Sequence, residues 1–556
     1  MTRFRGVTRA GWGDIAVASV LGALGMGATG PAPAAGQAAE AAAAAPRAEQ
    51  PWLARWRPLE VLGDLPRALP GSESPFPALL ALPAPRVGTL WTVGNPAALP
   101  FELADRRTDF SISRENRSGG YRRPLDPTEV TNGTLIGSGW RPLSERAAVI
   151  GRLVVQRTGL GDGSFSDQLM PYGTSPFAVF DTTGEAQIRT LVRLEGASGW
   201  RLGNLALGLA LGYESQRTFT DQAKVPRTNQ TATPGATVGL VWASPSSGFA
   251  IGVLGSLQET AQKSTMYTRA AASRAYTPEG FGPLVAFDLG DAGGLGRRFE
   301  RGAKGLTVSA AGRAGAVKWV VYGRREALTE SRFTTFIFRE LADDWDTRGW
   351  TLGGAGSLSS GSLDLALDAR FTTLVGRGFR GDLDLEHFES TDRRLRIEAD
   401  GRWKPLGGWE AGARLILTRN TSDRWDRLSR TGSEFSSWSP ALGIELARRL
   451  SGHVAVSLGS VVSTYGVSST TPPPGQFGSA WEKWIAPELG LMATGATGWA
   501  AQATLLIGSN DSRTVWLRAQ YGRGQPATSA VLQSDTPMGS RDRFELTIGV
   551  VLPRHP

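Results

Sequence analysis

Cysteine is absent from all 556 residues. That removes thiol nucleophiles, cysteine metal sites, disulfides and a lipobox for acyl anchoring. Histidine is scarce: His387, His453 and His555 are the only three. No nucleophile motif accompanies them, so a serine–histidine set has nothing to be built from. His387 stands in the acidic run Asp382, Asp384, Glu386, the one grouping in which an exterior-facing hydrolase could be sought. That run, and Asp343, Asp344 and Asp346, could attract a hard cation, but neither has the glycine spacing of a calcium loop. The chain is therefore expected not to be an enzyme, with no catalytic residue, no metal site and no cofactor.

Two further scarcities bound the class. Beyond the leader no apolar run is long enough to cross a bilayer as a helix, and the mean hydropathy is −0.17. A polytopic helical membrane protein is excluded; a β-barrel is not, because only every second strand residue faces lipid. The net charge is +9, but the basic residues are scattered among acids rather than gathered in a patch. No nucleic-acid partner is expected.

What is present begins with a leader. Residues 1–36 read as a signal peptide: Arg3, Arg5 and Arg9, an apolar stretch from Ile15 to Ala28, then small residues. Residues 37–88 form an Ala/Pro-rich periplasmic extension whose prolines deny any long regular element. Residues 89–107, carrying Gly94-Asn95-Pro96-Ala97-Ala98-Leu99, are assigned as an N-terminal hatch or plug segment, and Asn-Pro initiates a turn there. Residues 108–552 alternate.

The alternation is clearest from Gly353 to Trp403. Leu363, Leu365, Leu367 and Phe371 share one face, and Asp364, Asp368 and Arg370 the other; Leu395, Ile397 and Trp403 then oppose Arg396, Glu398, Asp400 and Arg402. Strands send successive side chains to opposite faces, so these strands are greasy on one side and charged on the other. Such segments recur from Asp109–Arg114 to Phe544–Leu552, including Pro487–Thr494, in an odd number. Short turns such as Ser198-Gly199, Ser359-Ser360-Gly361 and Ser451-Gly452 alternate with long polar spans such as Arg325–Arg348 and Val375–Asp392. The fold class is all-β: a transmembrane antiparallel β-barrel of about 16 strands (14–18). Short periplasmic turns and long extracellular loops are expected.

This register assigns Arg189, Arg193, Glu195, Asp364, Asp368, Arg370, Arg396, Glu398, Asp400, Arg402 and Arg414 to the lumen, as an aqueous path or as pairs that fill it. Trp200, Trp242, Trp403, Trp409 and Trp499 are placed in an aromatic girdle beside the short turns, and Trp350 in one beside a long span.

Asn95-Pro96-Ala97-Ala98-Leu99 resembles the Asn-Pro-Ala motif of FadL-type outer-membrane transporters. That likeness implies a lumenal hatch at Asn95, Pro96 and Ala97 and hydrophobic ligands. Pro171-Tyr172, Gly212-Tyr213-Glu214, Lys224-Val225-Pro226-Arg227 and the stretch from Pro234 to Leu240 resemble an uncharacterised, domain-of-unknown-function family of outer-membrane barrels, over roughly Thr89 to Leu552. It implies a barrel in the cell outer membrane, with outer-membrane lipid around it and a TonB-dependent transporter or surface lipoprotein as partner. The expected function is uptake or passage of a small compound, alone or beside an energised transporter. The alternatives are a scaffold barrel and, less favoured, an outer-membrane hydrolase.

Overall fold

A computed structural model describes residues 94–102, 106–120, 126–166, 180–220, 227–244, 248–266, 274–278, 284–288, 295–336, 339–381, 385–404, 408–428, 430–451, 453–471, 495–508, 514–526 and 539–552. The expected signal peptide and Ala/Pro-rich extension lie outside the described residues, as does Pro487–Thr494.

A short 3-10 turn (Pro96–Ala98) and one turn of helix, α1 (Leu99–Glu102), precede the sheet. The first half of the sheet holds β1 (Arg107–Gly119), β2 (Glu129–Ser144), β3 (Ala147–Ser166), β4 (Phe180–Leu202), β5 (Leu205–Thr220), β6 (Arg227–Ser244) and β7 (Phe249–Met266). A small hairpin follows, β8 (Arg274–Pro278) and β9 (Leu284–Asp288). Then come β10 (Leu295–Ala314), β11 (Val317–Phe336), β12 (Arg339–Ser360), β13 (Leu363–Arg380), β14 (Leu385–Trp403) and β15 (Trp409–Asp426). The last are β16 (Thr431–Arg449), β17 (Val454–Thr471), β18 (Ala496–Gly508), β19 (Thr514–Pro526) and β20 (Arg541–Leu552).

Neighbours in sequence pair antiparallel, β7 pairs with β10 across the hairpin, and β1 pairs with both β2 and β20. The ring is closed. Of the 20 strands in the sheet, β8 and β9 stand aside, touching the ring only through β4, and 18 form the barrel. Closure leaves no unpaired edge.

The barrel has 18 strands, the upper end of the expected 14–18 rather than the favoured 16. β17 pairs directly with β18 among the described residues, outside which Pro487–Thr494 lies. Without that segment the odd set becomes even. The expected Ser198-Gly199 turn is also corrected: β4 runs on to Leu202 and turns at Gly203-Asn204, where Gly203 has φ +67. Gly315 and Gly361, with φ +60 and +56, make the matching two-residue turns after β10 and β12.

The long polar spans are mostly strand. Arg325–Arg348 is β11 continuing to Phe336 and β12 starting at Arg339, and Val375–Asp392 is largely β13 and β14. These strands keep their period but lose their apolar outer face. On β11 the outward residues change from Val317, Trp319 and Val321 to Arg325, Ala327 and Thr329, while Leu328, Glu330 and Arg332 stay buried on the inner face. A loop reading follows whenever polarity is taken for irregularity.

Burial is inverted relative to an ordinary core. On β5 the large residues Leu205, Leu207, Leu209, Leu211 and Tyr213 are exposed outside, while Ala206, Gly208 and Ala210 are buried inside.

Closure and register are testable together in a chain with no native thiol. Ser113 and Thr547 are Cα partners across the β1–β20 seam, at a separation suited to a disulfide. The Ser113→Cys/Thr547→Cys variant should oxidise to a cross-linked species of altered electrophoretic mobility. Ser113→Cys/Arg543→Cys, four residues out of register, should not.

Candidate functional site: an occluded mouth beside a charged wall

At the short-turn end, the segment before β1 packs against the inner wall. Asn95 caps the 3-10 turn: its Oδ1 accepts a hydrogen bond from Ala97 N at 3.0 Å, and Ala98 N donates to Asn95 O at 3.1 Å. The Asn95 side-chain amide also donates to Leu240 O and Val253 O, each at 3.3 Å. Leu240 and Val253 are Cα partners on β6 and β7, so one amide bridges a rung of the sheet. Asn95, Ala97 and Leu99 are completely buried.

The floor under this turn is glycine. Gly199 on β4, Gly208 on β5 and Gly239 on β6 stand opposite one another in consecutive register. A Cβ at Gly199 would lie 2.5 Å from Pro96 O; one at Gly208 would fall on Ala97 N, and one at Gly239 on the Asn95 side-chain oxygen. Any side chain there forces the segment off the wall. Ala148, Ile150, Ala197, Ala206, Ala210 and Val241 surround the floor, and Ala311, Val320 and Ala355 from β10–β12 join the same apolar cluster. The Arg201 guanidinium covers the Phe101 ring at 4.9 Å and donates to Gly203 O at 2.8 Å.

The opposite wall is charged. Asp364, Asp368 and Arg370 on β13, Arg396, Glu398, Asp400 and Arg402 on β14, and Arg414 on β15 project inward. Asp368 faces Glu398 and Arg370 faces Arg396 across the sheet, like against like. The conflict is relieved along each strand. Arg370 donates to Asp368 at 2.7 and 3.1 Å, and Arg396 to Glu398 at 2.9 Å. Arg414 pairs with Glu398 and stands 3.4 Å from Asp400; Lys404 closes on Asp364 at 2.5 Å; Arg402 lies opposite Asp364. On β4, Arg193 donates to Glu214 at 2.7 Å and stands 3.9 Å from buried Glu195, and Arg189 donates to Thr218 at 3.4 Å.

Accessibility separates the two walls. The side chains of Arg370, Asp400 and Asp364 are 50, 36 and 35 % accessible although they point inward, whereas Ala97 and Ala206 are at 0 %. The accessible part of the inner surface therefore lies along β13–β15, and the N-terminal turn covers the β4–β6 side.

Trp200, Trp242, Trp403 and Trp409 are exposed on the outer face beside the short turns. Trp350 lies further along, its ring 5.3 Å from Phe371. Trp499 is corrected: it follows the long connection into β18 and packs on Tyr521 at 5.4 Å, in the far row with Trp350. Counting Pro487–Thr494 as a strand inverts the sidedness of whatever comes after it. His387 is completely buried on β14, not facing the exterior, and Asp382 and Asp384 lie outside the described residues. Among the described residues no three His, Asp or Glu side chains are grouped to hold a metal. The glycine floor has a faint sequence signal: Gly208 and Gly239 fall on small-residue faces opposite runs of Leu and Val, but their coincidence needs the register.

The closed ring and docked turn define a β-barrel with a short N-terminal segment packed against its inner wall. Its sequence matches a family of unknown function, DUF6850, over residues 96–552, and the chain belongs to that family. A search of curated proteins gives no match. Among solved structures it is similar to the ferric preacinetobactin receptor BauA from Acinetobacter baumannii: 9 % identity, TM-score 0.37, covering 81 % of this chain and 80 % of that one. It is also similar to the copper transporter OprC, with 8 % identity, TM-score 0.40 and 80 % of each chain covered. The ferric citrate transporter FecA gives 7 % identity and TM-score 0.39, covering 81 % of this chain and 79 % of that one. Likeness at this level carries no argument about what this chain binds.

Docking on glycine predicts a local phenotype. Gly208→Val should release residues 94–102, so that the Ala97 and Ala98 amides lose hydrogen-exchange protection while β5 keeps its own. Asn95→Ala removes a cap and two further amide contacts, and should raise opening of the segment about five- to thirtyfold, as roughly 1–2 kcal/mol of local stability is lost.

Proposed function

We propose that this protein is an outer-membrane barrel that passes a small polar or amphiphilic compound, with residues 89–107 as a hatch that half closes the periplasmic mouth. The observation that carries this reading is the pairing of a buried N-terminal turn on one inner wall with accessible, ion-paired side chains on the other. A water-filled crescent between them can move a solute without covalent chemistry.

The bilayer part rests on the inverted faces. From Leu205 to Tyr213 is eight residue steps, about 27 Å along a strand at roughly 3.4 Å per residue. At a tilt of about 40° that is roughly 20 Å of height, close to the apolar band of about 25 Å in outer-membrane barrels. Tryptophans at both margins suit the two interfaces. In this reading residues 1–36 are the export signal, 37–88 a periplasmic extension and 108–552 the barrel, with short turns inside and long connections outside. The burial of Asn95-Pro96-Ala97 supports the FadL-type hatch. The charged wall favours polar or amphiphilic cargo over the purely hydrophobic ligands that likeness implies. A TonB-dependent transporter or surface lipoprotein is the partner class proposed for an accessory role.

The second reading, a scaffold barrel, draws on the density of ion pairs across the wall, which rigidifies it. Planar-bilayer recording separates them. The wild type should conduct weakly, and Gly208→Val should conduct several-fold more. Arg370→Glu/Arg396→Glu should shift selectivity toward cations. No conductance from the wild type or from Gly208→Val, in protein shown to be inserted, would remove the passage reading and leave the scaffold.

A further inference from the structure

On the outer face of β10–β15 the apolar alternation ends in cations. The first charged outward residue above the greasy band is Lys304 on β10, Arg325 on β11, Arg348 on β12, Arg393 on β14 and Arg419 on β15, all exposed. β13 reaches Arg377 one rung later, within 3.9 Å of Glu386. At the short-turn margin of the same strands the outward residues are uncharged: Ala314, Val317, Leu358, Leu363, Trp403 and Trp409.

The register packs these charges closely. Lys304 and Arg348 are the two Cα partners of Ala327, one from each side, and Arg325 is two residues from Ala327 on the same face. Three cations thus crowd one small side chain. Arg393 lies opposite Thr373, itself opposite Trp350. Among the described residues Lys304, Arg325, Arg348 and Arg393 have no carboxylate partner, and Arg419 stacks on Trp438 at 5.2 Å. Inside the same wall the opposite holds: Glu326 partners Arg324, and Glu330 accepts from Arg301 at 2.8 Å and Arg332 at 2.6 Å. Like charges at adjacent positions on a sheet repel. The inner face pairs its cations with carboxylates, whereas on the outer face the cations come first, beside Trp350 and Phe371, and the exposed carboxylates Asp346 and Asp344 follow only farther along β12.

We propose that this cluster docks the phosphates of an anionic lipid in the leaflet nearest the long connections, with acyl chains lying along Trp350, Phe371 and Leu395. This rests on the membrane reading above. The immediate junction of cations with an aromatic and aliphatic band selects a lipid over a soluble anion or an acidic protein, because one molecule must satisfy both. Arginine forks and a lysine point charge both suit phosphate oxygens.

The test is to place the barrel in nanodiscs of phosphatidylcholine mixed with diphosphoryl lipid A, extract it in mild detergent, and count retained lipids by mass spectrometry. The wild type should retain the phosphorylated glycolipid about fivefold or more over its bulk share, given about that factor per basic residue near an anionic surface. The Arg325→Gln/Arg348→Gln/Arg393→Gln variant should fall to the bulk ratio. The same three positions changed to Lys should keep the enrichment. Arg141→Gln/Arg448→Gln, at the other margin, should not alter it. Should the triple Gln variant fail to fold, raising salt must abolish enrichment by the wild type. Wild type that inserts but shows no preference, enrichment that survives the triple Gln change, or enrichment indifferent to salt overturns the lipid site alone. Wild type that does not insert at all overturns the membrane reading with it. Retention of acidic protein in place of lipid would assign the cluster to a protein partner and reject the proposal.

Discussion

An open sheet leaves along each edge a row of N–H and C=O groups that still demand partners. Closing the sheet at the β1–β20 seam meets that demand. The constraint fixes much else. A closed antiparallel ring has an inside and an outside at every residue, and the two alternate along each strand except at the register shifts of the β2–β3, β3–β4, β13–β14 and β16–β17 pairs. Large apolar side chains go out, small and charged ones go in, and the usual relation between hydrophobicity and burial reverses. Charges that would be costly in a sealed core are tolerated on the inner wall because many stay accessible and neighbours along each strand pair them.

The inner surface then divides into unlike halves. The alanine- and glycine-rich wall of β4–β6 lets backbone approach backbone, and the Asn95–Leu99 turn lies against it. The β13–β15 wall carries paired but accessible charge. The turn is held by one amide bridge to the Leu240 and Val253 carbonyls and by a glycine floor, and it contributes no strand to the ring.

Much of the fold was legible because period-2 patterning is a local property. Leu363 to Phe371 and Leu395 to Trp403 announce their faces without reference to any other strand. The inward assignment of Asp364, Asp368, Arg396 and Glu398 follows from the same parity, and the structure places them inward. Where both faces turn polar, as in Ala327–Ser331, the pattern loses contrast and strand passes for loop. Gly199 passed for a turn residue because glycine serves turns and close approaches equally well, and nothing local distinguishes the two. Trp499 was put at the wrong margin because sidedness is a running count, and one segment too many reverses it.

By itself the sequence determined the class of sheet, the direction of each strand's greasy face, the charged character of the inner wall and the turn-forming nature of Asn95-Pro96. Only the tertiary structure decided that 18 strands close the ring, that Gly199, Gly208 and Gly239 meet in one row beneath Ala97, and that Lys304, Arg325 and Arg348 crowd around Ala327. The physical reason is that alternation is written within a strand, whereas register is set between strands. Residues 31 positions apart, such as Gly208 and Gly239, become neighbours only once hydrogen bonding has chosen which rung faces which.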